Sequence, residues 1–236
     1  MANVDSPVLE DQDLHHLLGV LRIRSAQTVT VADGCGRWRP CAVASVADRR
    51  PLSATLEPLG NVVHESVLQP AITVAFALTK GDRPEWALGK LTELGVDRII
   101  PLVTARSVVR EDDKRSERRQ QRWTKIARQA AMQSRRVWLP VIESPADVAV
   151  VVASAPGAAV LARPGGDAPT LQRPTVLVGP EGGWSPAEEM TVSASVGLGL
   201  SVLRSETAAV AAATVFGALR AGLVDEHRGR SDDGVR

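Results

Sequence analysis

Hydrophobic positions along the chain fall into two regimes. Up to about residue 69 they form short runs between turn residues: 28–31, 40–46 and 52–56 read as strands, divided by Asp33-Gly34, by Asp48-Arg49-Arg50-Pro51 and, at the end, by Pro58. Residues 13–21, DLHHLLGVL, suit a short helix ahead of them. Short strands at this spacing predict a small β-barrel. From Pro70 onward, buried-type runs at 72–78, 96–103, 141–142, 158–162 and 175–178 alternate with helical periods at 86–94, 116–134 and 146–153. That alternation predicts an α/β domain with a parallel sheet. Asp82-Arg83-Pro84-Glu85 has the order of a capping box before the first of these helices, and Gly95 follows its end. The expected domains are 1–69 and 70–228, with the charged residues 229–236 a disordered tail.

Strand, turn and helix signals are densest between residues 175 and 213. The run 175–178 stops at Gly179-Pro180-Glu181-Gly182-Gly183, which no regular element accommodates. Three glycines in five positions let the backbone come close to a ligand and present bare amides. Ser185-Pro186-Ala187-Glu188 then has the capping-box order, so a helix starts there. Residues 198–203 give another short apolar run, expected as a strand, and Arg204-Ser205-Glu206-Thr207 leads into an alanine-rich helix ending near Leu219. That helix is small-sided and apolar nearly all round, as suits burial against a sheet or a second subunit. Two strands thus each end in a polar loop that opens a helix, and open parallel sheets bind ligands at the carboxyl ends of their strands.

Composition sets the class without changing this picture. The chain has 236 residues, 44% of them hydrophobic, and a formal net charge of +1. Such a balance excludes disorder for most of the chain, and no apolar run reaches membrane-spanning length. The stretch MANVDSPVLEDQ lacks the charged start and apolar core of a signal peptide, so a cytoplasmic location is expected. Cys35 and Cys41 have no Cys/His cluster with metal spacing beside them, which predicts reduced, structural thiols and no metal. A Walker A loop fails for want of Gly-Lys-Ser/Thr, a hydrolase elbow for want of G-x-S-x-G, and the glycines at 34 and 36 read as a hairpin turn.

Charge is uneven, however. Between Arg106 and Arg136 eleven Lys or Arg face four acidic residues, an excess of seven. A solvated helix face explains a charge run, but an excess of one sign cannot pair internally, and a phosphate backbone is its commonest partner. Arg115, Arg118 and Arg122 share one helical face, with Arg119 next to it. Arg37-Trp38-Arg39 offers a second, smaller basic site whose indole has either a packing or a base-stacking use.

Gly179-Pro180-Glu181-Gly182-Gly183, followed by Leu198-Gly199 and Leu203-Arg204-Ser205-Glu206-Thr207-Ala208, resembles the RsmE-type 16S rRNA uracil-N3 methyltransferases of the SPOUT, or trefoil-knot, class. The resemblance extends through Lys90 with Glu93-Leu94-Gly95-Val96, Arg106-Ser107-Val108, and Gln133-Ser134 with Arg136 and Pro140. His16, Val20-Leu21-Arg22 and Asp33-Gly34 are similar to the start of that family's PUA-like RNA-binding domain. Ala105 and Met132 depart from it, standing where the family is expected to carry glutamate. The resemblance implies a C-terminal α/β domain with a deep trefoil knot, an N-terminal PUA-like β-barrel, and a homodimer acting on the small ribosomal subunit. It also implies S-adenosylmethionine held by Leu177, Val178, Gly179, Glu181, Gly182, Gly183, Leu198, Gly199, Leu203, Arg204, Thr207 and Ala208. RNA contacts are expected from Arg22, Arg106, Arg115, Arg118, Arg122 and Arg136.

Methyl transfer asks the protein mostly to position sulfonium and nucleophile, with electrostatics helping the nucleophile lose its proton. Uracil N3 carries an imide proton whose loss spreads charge over the flanking carbonyl oxygens. Arg204 is the candidate to stabilise that anion, and Glu206 or Glu181 to accept the proton or orient the base. Arg204 also fits as a surface arginine, and Glu206 as a helix-start carboxylate favoured by the macrodipole. A different class stays open, a non-catalytic RNA-binding protein with a degenerate cofactor pocket.

Overall fold

The computed structural model describes residues 3–9, 11–47, 53–79, 81–107 and 113–226. The expected tail 229–236 lies outside them. The chain divides into two compact units, residues 1–67 with 136–138, and residues 68–135 with 139–236. Sequence alone places 136–138 in the second half of the chain, yet Gly36 N–H donates to Val137 O and Trp138 Nε1 to Glu65 O, inside the first unit.

In the first unit a helical segment, α1 (Asp11–Leu14) continued by a π-helical stretch (His15–Val20), precedes β1 (Thr28–Ala32), β2 (Arg37–Ala47), β3 (Ser53–Pro58) and β4 (Val63–His64). The strands form an antiparallel sheet in the order β1-β2-β3, and β4 pairs with the start of β2. Val4, Val31 and Cys41 are its buried core, and burial pushes the Cys41 thiol up. Cys35 is exposed, and neither thiol is in a disulfide. The small basic site at 37–39 is committed to this packing. Arg37 pairs with Asp5 at 2.8 Å, Trp38 Nε1 donates to Glu65 at 2.8 Å, and Arg39 donates to the carbonyls of Gly60 and Val4. The indole is held by the fold, which favours packing over base stacking.

The second unit contains β5 (Thr73–Ala77), α2 (Arg83–Glu93), β6 (Arg98–Val103), α3 (Asp113–Ser134), β7 (Val141–Ile142), β8 (Ala146–Asp147) and α4 (Val148–Ser154). It continues with β9 (Ala159–Asp167), β10 (Thr175–Val178), α5 (Pro186–Thr191), β11 (Ser195–Val196) and α6 (Ser205–Arg220). Its sheet is parallel throughout, in the order β11-β9-β10-β5-β6-β7, with β8 also on β6. Because side chains alternate across a strand, the sheet has two buried faces. Val74, Phe76, Val176 and Val178 pack with α2, α3 and α6, whereas Ala75, Leu161 and Leu177 pack with α4 and Trp184. Phe76 stacks on Trp123 of α3 with centroids 6.0 Å apart. At the other end of the strands, Arg220 at the end of α6 pairs with Asp97 and donates to Gly95 O at 2.7 Å.

Two local expectations fail. Residues 198–203 are not a strand; the pairing falls earlier, at Ser195–Val196, and Leu200 and Val202 stand fully exposed. Gly199, with φ of 149°, adopts a backbone geometry that a strand does not use, so the apolar run leaves the sheet edge. The capping box at Asp82 also does not form. Asp82 has helical dihedrals and its side chain makes no cap bond, while the Glu85 carboxylate meets Arg122 of α3 at 2.5 Å.

Candidate active site

The site is built where β10 and β5 end side by side, with Val178 opposite Phe76. Leu177 and Val178 are buried on opposite faces of the sheet, so at this point only their backbone is available to a ligand. The loop 179–183 then turns on itself, with Gly183 N–H donating to Pro180 O at 2.9 Å. Its three glycines serve different ends. A β-carbon on Gly179 would stand 2.9 Å from Trp184 Cε2, so glycine there lets the indole pack under the loop, where its Nε1 donates to Ala162 O at 3.3 Å. Gly183 has φ of +71°, which other residues rarely adopt. Gly182 has neither constraint, since a β-carbon there would meet only Arg106 at 3.6 Å, an ordinary contact.

From the other side, Arg106 Nη1 donates to Gly182 O at 2.6 Å and fastens the loop after β6 to the glycine loop. Glu188 holds the same junction. Its Oε2 accepts from Ser185 N–H at 2.7 Å in a complete capping box, and its Oε1 accepts from Ala105 N–H at 2.8 Å. Burial alone would push this carboxyl up. The amides of Ser185 and Ala105, the Ser185 hydroxyl and the Arg106 charge outweigh that and hold it below the ordinary carboxylate value.

The start of α6 closes the third side. Ser205 Oγ donates to Ala77 O at 3.3 Å, which sets the helix start over the end of β5. Glu206 is thereby buried. Arg83, at the start of α2, lies between two of the predicted carboxylates, its Nη1 3.7 Å from Glu181 Oε1 and its Nε 3.8 Å from Glu206 Oε1. Glu206 Oε2 is buried with no hydrogen-bond partner among the described residues. A carboxylate oxygen so placed is costly unless something donates to it.

Three of the predicted site residues therefore meet around Arg83 and Arg106, namely Glu181, Glu206 and Gly182. Arg204 is the N-cap residue of α6, exposed, with no hydrogen bond or ion pair from its side chain among the described residues. Thr207 is exposed, and Leu198 and Ala208 pack at the edge of the core. Leu203 is half-buried, and Gly199 has open space where a β-carbon would be. Of the residues expected to touch RNA, Arg22 and Arg136 belong to the first unit. Arg118 is exposed on α3, Arg122 is engaged by Glu85, and the Arg115 side chain lies outside the described residues. Arg119 lies over the Trp123 ring, 5.5 Å from its centroid, and so faces the core. Arg83 was readable only as part of a helix start, because both its partners are distant in sequence. A second missed feature is a close backbone approach where β11 pairs with β9: β-carbons on Gly166 and Gly197 would stand 2.5 Å from Val196 C and 2.9 Å from Gly166 O. Among the described residues no three His, Cys, Asp or Glu side chains converge as metal ligands, and no helix is long and apolar enough to cross a membrane.

A family model described as an RNA methyltransferase domain matches residues 67–217, almost the whole of the second unit. Over 222 residues the chain is 31% identical to the ribosomal RNA small subunit methyltransferase E of Bacillus subtilis (strain 168), covering 84% of each chain. The corresponding enzyme of Neisseria gonorrhoeae, solved bound to S-adenosyl methionine, is 28% identical with a TM-score of 0.73 over 90% of both chains. A Legionella pneumophila protein solved with the bound cofactor SAM gives a TM-score of 0.75 at 27% identity, over 89% of this chain and 90% of that one. The chain belongs to the ribosomal RNA small subunit methyltransferase E family.

Proposed function

We propose that this protein is an S-adenosylmethionine-dependent methyltransferase that methylates N3 of one uridine in 16S rRNA, with the assembled small subunit as substrate. The observation that carries the reading is the buried Glu206 Oε2, unpartnered among the described residues, near the glycine loop at the ends of β10 and β5. The residues fit the two reactants: the loop 179–183 brings backbone close to a cofactor without side-chain bulk, and Glu206 Oε2 lacks, among the described residues, a donor that the imide N–H of a uracil would supply. When bound, the cofactor supplies an electrophilic methyl group on a sulfonium.

The chain's own residues position and charge-balance the rest. Arg204, exposed at the start of α6 two residues before Glu206, is the guanidinium assigned to the carbonyl oxygens of a uracil that has lost its N3 proton. Glu206 Oε2 is the acceptor for the imide N–H, and Glu181, on the loop and linked to the same Arg83, is the second carboxylate at the site. A knotted path for the chain and a PUA-like barrel in the first unit rest on the family resemblance; the four-stranded antiparallel sheet of that unit is in line with the second. The homodimer rests on the family resemblance, and exposed Leu200 and Val202 offer apolar surface that a second copy would cover.

Calorimetry with S-adenosylmethionine in the absence of RNA tests the reading. An enzyme binds it with one site per chain. A non-catalytic RNA-binding protein with a degenerate pocket does not, and absence of binding by folded protein would overturn the proposal.

A further inference from the structure

We infer that Arg83 is a positioning residue for the methyl transfer, acting through Glu206. The inference rests on the reading of Glu206 as the group that meets the target base. Glu206 is a buried carboxylate with two oxygens in different situations. Oε1 faces the Arg83 guanidinium at 3.8 Å, and Oε2 has no partner among the described residues. A side chain with three free torsions would otherwise turn whichever oxygen it could toward any available donor. The guanidinium biases that choice by charge: it draws Oε1 toward Nε and leaves Oε2 as the acceptor for an incoming N–H.

Arg83 is itself fixed from two directions. It stands in the first turn of α2, where backbone position is set by the packing of Pro84, Ala87 and Leu88 in the core. Its Nη1 faces Glu181 at 3.7 Å while Nε faces Glu206, so one planar group spans the glycine loop and the start of α6. Glu181 is largely exposed and that pairing alone contributes little to stability. Its consequence is geometric: with a carboxylate on each side, the half-exposed guanidinium is drawn to a position between Glu181 and Glu206. Lysine in its place would reach one carboxylate as a point charge and not span both.

The test uses the full-length protein, with small subunits isolated from a strain lacking the gene, in single-turnover methyl transfer at saturating S-adenosylmethionine. Arg83→Met should keep its melting midpoint and bind the cofactor within about threefold of wild type, while transfer slows roughly tenfold or more, as expected when a reacting group is misplaced. Arg83→Lys should recover part of the rate, and Arg83→Gln serves as a second removal of charge should the methionine variant fold poorly. The double variant Arg83→Met/Glu206→Gln should be no slower than Glu206→Gln alone, because the first acts through the second. Normal transfer by Arg83→Met with a slow Glu206→Gln would overturn the inference about Arg83 alone. Multiplying rate losses in the double variant would overturn it too, as would a loss explained wholly by weaker cofactor binding. Normal transfer by Glu206→Gln would instead remove the reading of Glu206 on which it rests.

Discussion

Gly179 and Gly182 are three positions apart in one loop, yet the same substitution should act on them through different physics. In Gly179→Ala the new methyl would stand 2.9, 3.1 and 3.2 Å from three atoms of the Trp184 indole. Those atoms belong to a rigid ring that is itself buried against Ala75, Leu161 and Leu177, so no flexible end can give way. The indole has to move, stretching its 3.3 Å bond to Ala162 O, and overpacking of this kind costs about 1–3 kcal/mol. At roughly 2–4 °C per kcal/mol for a chain of this size, the melting midpoint should fall by several degrees. In Gly182→Ala the methyl would meet Arg106 Cβ and Cδ at 3.6 Å, and the stability change should stay within about 0.5 kcal/mol. Urea titrations of both variants measure the difference, and calorimetry with the cofactor measures the site. Gly182→Ala, and more so Gly182→Val, should weaken binding with folding intact, whereas Gly179→Ala should lose stability first. Equal stabilities of the two alanine variants would refute the assignment of Gly179 to the packing of Trp184.

Arg204→Ala should bind S-adenosylmethionine nearly as wild type and transfer methyl roughly a hundredfold more slowly, read by turnover on isolated small subunits; normal turnover would remove Arg204 from the chemistry. Replacing Arg118 and Arg122 together by alanine should lower the log-log salt slope of rRNA binding by about 0.7 to 0.9 for each phosphate that is no longer neutralised. Because Arg122 also meets Glu85, Glu85→Gln is the control that separates breaking that pair from weakening the hold on RNA. Glu188, whose carboxyl is held low in the fold, should contribute stability that is complete above its ordinary value of 4.5 and is lost as pH falls through the lower folded value. Glu188→Gln should therefore be less stable than wild type near neutral pH, with the difference shrinking in urea titrations on the acid side; a gap independent of pH would contradict it.

What the sequence reveals follows the range of the interactions involved. Ser185 and Glu188 satisfy one another within a single turn, so their box is readable from spacing and forms as read. Asp82 and Glu85 show the same spacing, but a partner on α3 takes the Glu85 carboxylate, and local pattern carries no trace of Arg122. The run at 198–203 fails for another reason: apolar composition signals burial or a partner surface equally, and Gly199 decides against the strand. The parallel sheet was legible because its strands are buried on both faces and alternate with amphipathic helices. At the site, the glycine loop and Glu206 stand out by motif. Arg83, which joins Glu181 to Glu206, does not, since the strand ends that bring the three together are apart in sequence and adjacent only in the sheet.

Mass spectrometry of 16S rRNA from the source organism, compared with a strain lacking this gene and with that strain complemented, bears most directly on the proposed activity. One 3-methyluridine should vanish in the deletion, return with the wild-type gene, and stay absent with Arg204→Ala. An unchanged complement of 3-methyluridine in the deletion strain would contradict the assignment of this protein as its methyltransferase.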